Sequence, residues 1–351
     1  MNRNLALLLA LLICCTLVLT SCSNPLISLW DFFNKKTDTV EESPQQVQEE
    51  TQSMSEVSVS QPEDSRATVL YYKDNEDFLI PVMRYMPKGD LGVAKTAISA
   101  IIYSPETVED LKAAGLTPTL PMGTKINGAV IRENGLAIID FSKEFLNFSS
   151  KKAEELGIKA VTYTLTEFPN IKSVEIRVDG KKIEEMPKGT EVGSELKRTE
   201  INLQPVEKAG EKLSKVVVYY HKKGSGAYSY FVPLTKVVSG FENSVEAALS
   251  ALLEGPPKAS SLKNPFPEGT KLLDVQVNSG IAYVNFSEHI LANQGDKAAE
   301  NAVKKAVALT LKEFPAISKA KIFVNGKIVE NTAGVGADEY ISVPVFVNFY
   351  E

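Results

Sequence analysis

Cysteine is almost missing from this chain of 351 residues: Cys14, Cys15 and Cys22 are its three, and all precede Ser23. Everything after them lacks a thiol, so no disulfide, thiolate nucleophile or cysteine metal site is available there. Histidine is nearly as scarce. His221 and His289 fall at unmatched places when the chain is aligned with itself, His289 in a polar Ser-Glu-His run, and two such histidines make a poor metal set. A basic excess is also absent: the net charge of −6 gives no positive footprint of the kind nucleic acid calls for. The apolar run Leu5 to Leu19 is short for a membrane span.

What the chain does have is one stretch written twice. Thr164-Leu165-Thr166-Glu167-Phe168-Pro169-Asn170-Ile171 leads through Val174 to Val178 into Asp179-Gly180-Lys181. Thr310-Leu311-Lys312-Glu313-Phe314-Pro315-Ala316-Ile317 leads through Ala320 to Val324 into Asn325-Gly326-Lys327. Pro169 and Pro315 cannot continue a helix, because proline lacks the amide proton and crowds the turn before it. Ile176 and Val178, or Ile322 and Val324, then alternate as on a half-buried strand. Asp-Gly and Asn-Gly supply the positive φ angles of a tight hairpin. The match extends to Gly123-Thr124-Lys125 with Gly269-Thr270-Lys271, and to Asp140-Phe141-Ser142 with Asn285-Phe286-Ser287. Tyr71-Tyr72 likewise matches Tyr219-Tyr220. A tandem duplication follows, consistent with about 150 residues per domain.

Each half reads as two helices and some six or seven strands, an α+β module with helices on one face of a mostly antiparallel sheet. In the first half the strands run near Thr68 to Tyr72, Phe78 to Met83, Lys125 to Arg132 and Leu136 to Phe141. The helices run from about Gly92 to Tyr103 and Ser150 to Phe168. A Pro-containing loop follows the first helix, and a short helical piece at Glu144-Phe145-Leu146 precedes the second. In the copy, Asn243 and Glu246 are placed to form a capping box ahead of the stripe Val245, Ala248, Leu249, Leu252 and Leu253. Thr199 to Leu203 aligns with Val345 to Phe349, so it is expected to close the sheet of the first half; Pro344 puts the closing strand at an edge. The organisation expected is 67–204 and 215–351 for the two domains, with 205–214 joining them.

Ahead of the domains, residues 1–21 read as a signal peptide, with Asn2-Arg3 before the apolar run. Leu19-Thr20-Ser21-Cys22 resembles the lipobox of bacterial lipoproteins, which implies a lipid-bearing Cys22 as the first mature residue. Two acyl chains suffice for stable anchoring. Residues 22–66 carry an aromatic entry, Trp30-Asp31-Phe32-Phe33, and then a Ser, Gln, Glu and Thr-rich tether too poor in apolar residues to offset ordering entropy.

The catalytic candidates fare badly when one copy is checked against the other. Asp140 at a strand end has the form of a general base, but its counterpart is Asn285, which takes no proton at neutral pH. Both can accept from nearby amides and start a helix. Glu167 and Glu313 match, but lie in the last helical turn on the polar face, where charge is solvated. Gly224-Ser225-Gly226 sits between strands, as a hairpin turn and not a phosphate loop. Tyr219, Tyr220, Tyr228, Tyr230 and Phe231 alternate as core and surface packing does, or line a cleft between the domains that would hold a small ligand or peptidoglycan fragment.

The duplicated Glu-Phe-Pro helix ends (Glu167, Phe168, Pro169; Glu313, Phe314, Pro315), the Phe-Ser strand ends after Asp140 and Asn285, the turns at Gly180 and Gly326 and the lipobox together resemble the GerM-domain lipoproteins of endospore-forming bacteria. The resemblance implies a fold akin to the ring-building modules of secretins and of the mother-cell-to-forespore channel. It implies a non-enzymatic scaffold without cofactors, needed for sporulation and germination and lipid-anchored to the outer face of the cell membrane around the forespore. The partners it implies are the membrane, through a diacylglycerol and an acyl group such as palmitate, and proteins of the channel or envelope, with assembly into rings.

Overall fold

The computed structural model describes residues 62–88, 92–204, 213–226, 228–239, 244–328 and 340–350. The expected leader, Leu19, Thr20, Ser21 and Cys22, nearly all of the tether and joining segment, and Asn243 lie outside the described residues.

The first half opens with a hairpin of β1 (Ser65–Lys73) and β2 (Leu79–Pro87), followed by helix α1 (Val93–Ser99). Ala94, Ala97 and Ile98 of α1 are buried, with Ile101 just beyond, as their spacing requires. A further helix, α2 (Pro105–Leu111), occupies what reads as a loop. Ser104 caps it and forms a reciprocal capping box with Thr107, and Pro105 takes a first-turn place where proline's missing amide costs nothing. The second half has Gly255-Pro256-Pro257 there and no helix.

A four-stranded sheet then forms from β3 (Ile126–Ile131), β4 (Leu136–Phe141), β5 (Ser173–Val178) and β6 (Lys181–Lys182), in that spatial order. Between β4 and β5 runs α3 (Lys151–Thr166), capped by Ser150. Because a helix bridges them, β4 and β5 pair parallel, Leu136 opposite Ser173 and Phe141 opposite Val178. The sheet is therefore mixed, more so than hairpin turns alone suggest.

The second half repeats the plan: the hairpin β7 (Leu213–Lys223) and β8 (Ser229–Ser239), then α4 (Val245–Leu253), β9 (Leu272–Asn278), β10 (Ile281–Phe286), α5 (Lys297–Lys312), β11 (Lys319–Val324) and β12 (Ile341–Ser342). β10 and β11 again pair parallel, and β12 lies at the sheet edge, ending before Pro344. The cap of α4 is Ser244, whose hydroxyl accepts from the Ala247 amide, one residue after the expected Asn243. Leu213 and Ser214 belong to β7 rather than to the joining segment.

In each half the long helix packs on the hairpin: α3 against β1, α5 against β7. It also backs the sheet, with α3 on β5, so the helices lie between a hairpin and a four-stranded sheet. Ile158, Val161 and Leu165 are buried on α3, with Phe168 just beyond its end, as are Val303, Val307 and Leu311 on α5. The two halves share one continuous apolar core. Tyr219, Tyr220, Tyr230 and Phe231 are buried in that core or at its margin.

One expectation fails in an informative way. Thr199 to Leu203 does not join the sheet of the first half. It crosses to the second, where the Thr235 amide of β8 donates to the Ile201 carbonyl (3.0 Å) and the Gln204 amide donates to the Thr235 carbonyl (2.9 Å). The copy crosses the other way: the Met83 amide of β2 donates to the Asn348 carbonyl (2.7 Å), and the Tyr350 amide donates to the Met83 carbonyl (3.2 Å). Met83 and Thr235 are equivalent positions, since Leu79-Ile80-Pro81 matches Phe231-Val232-Pro233. The halves have thus exchanged their closing segments.

Candidate functional site

The duplicated motifs turn out to bond one another. Asp140 Oδ1 accepts from the Gly180 amide and Asn285 Oδ1 from the Gly326 amide, both at 2.8 Å. Beside them the Asp179 amide donates to the Phe141 carbonyl and the Asn325 amide to the Phe286 carbonyl. The strand-end motif therefore holds the hairpin turn, where Asp179 and Asn325 adopt positive φ (46° and 48°). This corrects the helix-start role expected of Asp140 and Asn285: the amide each one holds belongs to the turn. Ser142 and Ser287 secure the other flank by accepting from the Lys125 and Lys271 amides, each at 3.0 Å. Phe141 stacks on Phe145 at 4.1 Å between centroids, and Phe286 packs on Phe266 at 5.5 Å. An acid and its amide serve one role equally here because the task is to accept a backbone proton.

The junction of the halves is where charged and polar side chains converge. Asn202, at φ 48°, donates to the carbonyls of Leu79 (2.9 Å) and Pro233 (2.8 Å) and accepts from the Leu79 amide (2.8 Å). Asn348 donates to Phe231 (2.9 Å) and Pro81 (2.8 Å) and accepts from the Phe231 amide (2.8 Å). Each asparagine clamps both hairpins, in a reciprocal pattern that an isologous dimer would show. Lys222 Nζ reaches Asp74 (2.6 Å), Glu76 (2.8 Å) and Asn75 (3.2 Å), and it is buried with Asp74. Burial pushes the Glu76 carboxyl up, but bonds from Lys222 and Ser261 outweigh it and hold it below the usual range.

Glu167 is half-buried and Glu313 exposed, as a polar helix face implies, but each is tied to a tyrosine. Tyr71 donates to Glu167 at 2.8 Å and Tyr219 donates to Glu313 at 2.6 Å, the same bond in each half. Arg198, ahead of the first closing segment, donates to Glu167 (2.5 Å) and Thr166 (2.8 Å) and lies over the Tyr163 ring at 4.8 Å. Tyr163 in turn donates to the Thr199 carbonyl at 2.5 Å, and its phenol is pushed up to about 12, by burial first. Burial and then Glu167 raise the Tyr71 phenol, and burial and then Glu313 raise that of Tyr219. Glu313 keeps solvent contact, yet the protein crowded around it lifts its carboxyl above the ordinary range; Glu167 adds to the rise, while Tyr219, Lys312 and Arg198 oppose it. These groups are tied to backbone and to each other, and their arrangement fastens helix ends to hairpins.

The histidines stand apart. His221 packs edge-on against Phe231 and is held below its usual pKa by burial and then by Lys305, whereas His289 lies near Ser287 Oγ at 3.4 Å. Among the described residues no group of three His, Cys, Asp or Glu could hold a metal, and no helix is long and apolar enough to cross a membrane. Gly224 and Gly226 form the hairpin between β7 and β8, and Gly226 donates to the Ala113 carbonyl of the first half at 2.9 Å.

Among the described residues, two sheet edges have no further strand beside them. β3 and β9 end their sheets, and Val130 (61%) and Ile131 on β3, with Leu273 and Val277 on β9, expose apolar surface; Val345 on the second closing segment is 73% exposed. The motif reading did not mark Val130, whose place in the copy is taken by Gln276, although Ile131 and Val277 do match.

The whole arrangement has known relatives. The chain is 30% identical over 286 residues to the spore germination protein GerM of Bacillus subtilis (strain 168), covering 80% of this chain and 77% of that one. The solved tandem GerMN domains of the sporulation protein GerM from Bacillus subtilis are similar at 29% identity with a TM-score of 0.68, over 82% of this chain and all of that one. The first of those domains, solved alone, matches at 31% identity over 38% of this chain, with a TM-score of 0.34. Residues 69–184 and 217–330 each match the Germane family, described as sporulation and spore germination, and the chain belongs to that family as a tandem pair.

Proposed function

We propose that this chain is a non-enzymatic docking scaffold of the sporulation envelope, held to the membrane through Cys22 and presenting both modules to proteins of the mother-cell-to-forespore channel. The observation that carries the docking role is the pair of open sheet edges. Among the described residues no strand pairs with the outer side of β3 or β9, which carry exposed Val130, Ile131, Leu273 and Val277, the features by which a neighbouring strand is recruited. A contact of standard size buries roughly 1,600 Å² in total, which either module can supply. The residues that match between copies are spent on holding turns and helix ends, which favours a structural role for them over chemistry. Where a ligand cleft between the domains would lie, Asn202, Asn348 and Lys222 make direct contacts. Assembly into rings belongs to the same reading, since an open edge also accepts a second module.

The test places lysine on each edge, Val130→Lys with Val277→Lys, in the membrane-anchored chain, and measures capture of channel proteins from sporulating cells. Loss of capture with unchanged unfolding supports docking through the edges; full capture and normal spore formation would refute it.

A further inference from the structure

The interface between the halves carries a selection device that the docking reading does not require. Asp74 and Lys222 occupy the same position of the repeat: Tyr71-Tyr72-Lys73-Asp74 matches Tyr219-Tyr220-His221-Lys222. The preceding residues confirm the register, because Lys73 pairs with Thr117 as His221 pairs with Lys263, and both partners lie equally far ahead of the matched Gly123 and Gly269. So the position that would meet its own copy in a symmetric dimer is an acid in one half and a base in the other. They meet at 2.6 Å with side chains 0% and 5% exposed. Asp74 also holds its own loop, accepting from the Glu76 and Phe78 amides at 2.9 Å.

We propose that Asp74 and Lys222 determine which module pairs with which, making the second half of the chain the fitting partner for the first and rejecting a second copy of either like half. A pair of first halves would bury Asp74 against Asp74, with both Glu76 carboxylates nearby. A pair of second halves would bury Lys222 against Lys222. Like charges brought together out of water disfavour both, whereas the unlike pair is bonded. The backbone clamps around this position are reciprocal, Asn202 with Asn348 and Met83 with Thr235, whereas the bonds of Ser261 to Glu76 and of Gly226 to Ala113 are one-sided. The reciprocal clamps fit any two modules of this fold, so the buried charge at this position adds a discrimination that they lack. The surface therefore fits a module of the same fold carrying the opposite charge there.

The experiment uses the full chain with Glu76→Gln throughout, so that the charge is confined to the pair. Lys222→Asp, Asp74→Lys and the double reversal are compared by light scattering and by hydrogen exchange at the Met83 and Thr235 amides, both bonded to the opposite half. Each single reversal is expected to speed exchange at least 100-fold there, and the double reversal to recover at least tenfold over either single. Mixing the two single-reversal chains is expected to double the measured mass, since each then offers what the other lacks, while neither dimerises alone. If a single reversal does not fold, a folded and protected double reversal supports the proposal. A double reversal no better protected than the singles, or a mixture of folded singles that stays monomeric, overturns it.

Discussion

Asn348→Ala provides the sharpest test of how the halves are joined. The side chain is 3% exposed and makes three bonds, to the Phe231 amide, the Phe231 carbonyl and the Pro81 carbonyl. Alanine leaves all three groups without that partner. An orphaned buried group costs roughly 1–3 kcal/mol, and the carbonyls retain a second lone pair, so about 3 kcal/mol is expected in all. For a chain of this size that is a fall of roughly 4–6 °C in the thermal midpoint followed by circular dichroism. Asn348→Asp sharpens the test, because it still accepts from the Phe231 amide but turns a carboxylate toward two carbonyls. That carboxyl is raised in the folded state, so the variant should be weakest near neutral pH and gain on wild type as acid protonates it. A midpoint shift of less than about 2 °C for the alanine variant, or no pH dependence for the aspartate one, would refute the clamp.

Glu313→Gln keeps an acceptor for Tyr219 while removing a charge that the fold disfavours. The raised carboxyl weakens wild type above its folded pKa, so the variant should be the more stable near pH 7, with the difference closing as pH falls toward the ordinary carboxylate value; a constant difference across that range contradicts the assignment. Gly157→Ala would help most helices by about 1 kcal/mol, but here a methyl group runs into the Phe148 ring. A net loss of about 1–2 kcal/mol in urea unfolding is expected, and a gain would show that Phe148 moves freely aside. For the anchor, Cys22→Ala should release the chain from the membrane fraction after leader cleavage; retention there argues against lipidation.

Local features were legible in the sequence and crossings between the halves were not. The turn at Asp179-Gly180, the stop at Pro169 and the stripes of α3 and α5 depend on residues near in sequence, and each lies where its pattern puts it. Helix α2 was signalled by Ser104, Pro105 and Thr107, but a proline opening a helix resembles one in a loop. The partners of Glu167 and Glu313 escaped notice because helical periodicity describes one element, while Tyr71 and Tyr219 approach from hairpins far away in sequence. Aligning Thr199 to Leu203 with Val345 to Phe349 put Asn202 opposite Asn348, which is sound. No alignment of the halves could show that each segment serves the other's hairpin, since the same residues would close their own half equally well.

The exchanged closing segments also bear on how the protein is made. The hairpin of β1 and β2 is synthesised early, yet the Pro81 carbonyl waits for Asn348, separated from it by 267 positions. During synthesis the first module is left with an unfilled edge until the far end of the chain arrives. Pairings over such distances form slowly, because loop closure must precede any return from the contact. The early module is thus the one most open to wrong neighbours and proteases, and shortening the chain by its last few residues would damage the module made first.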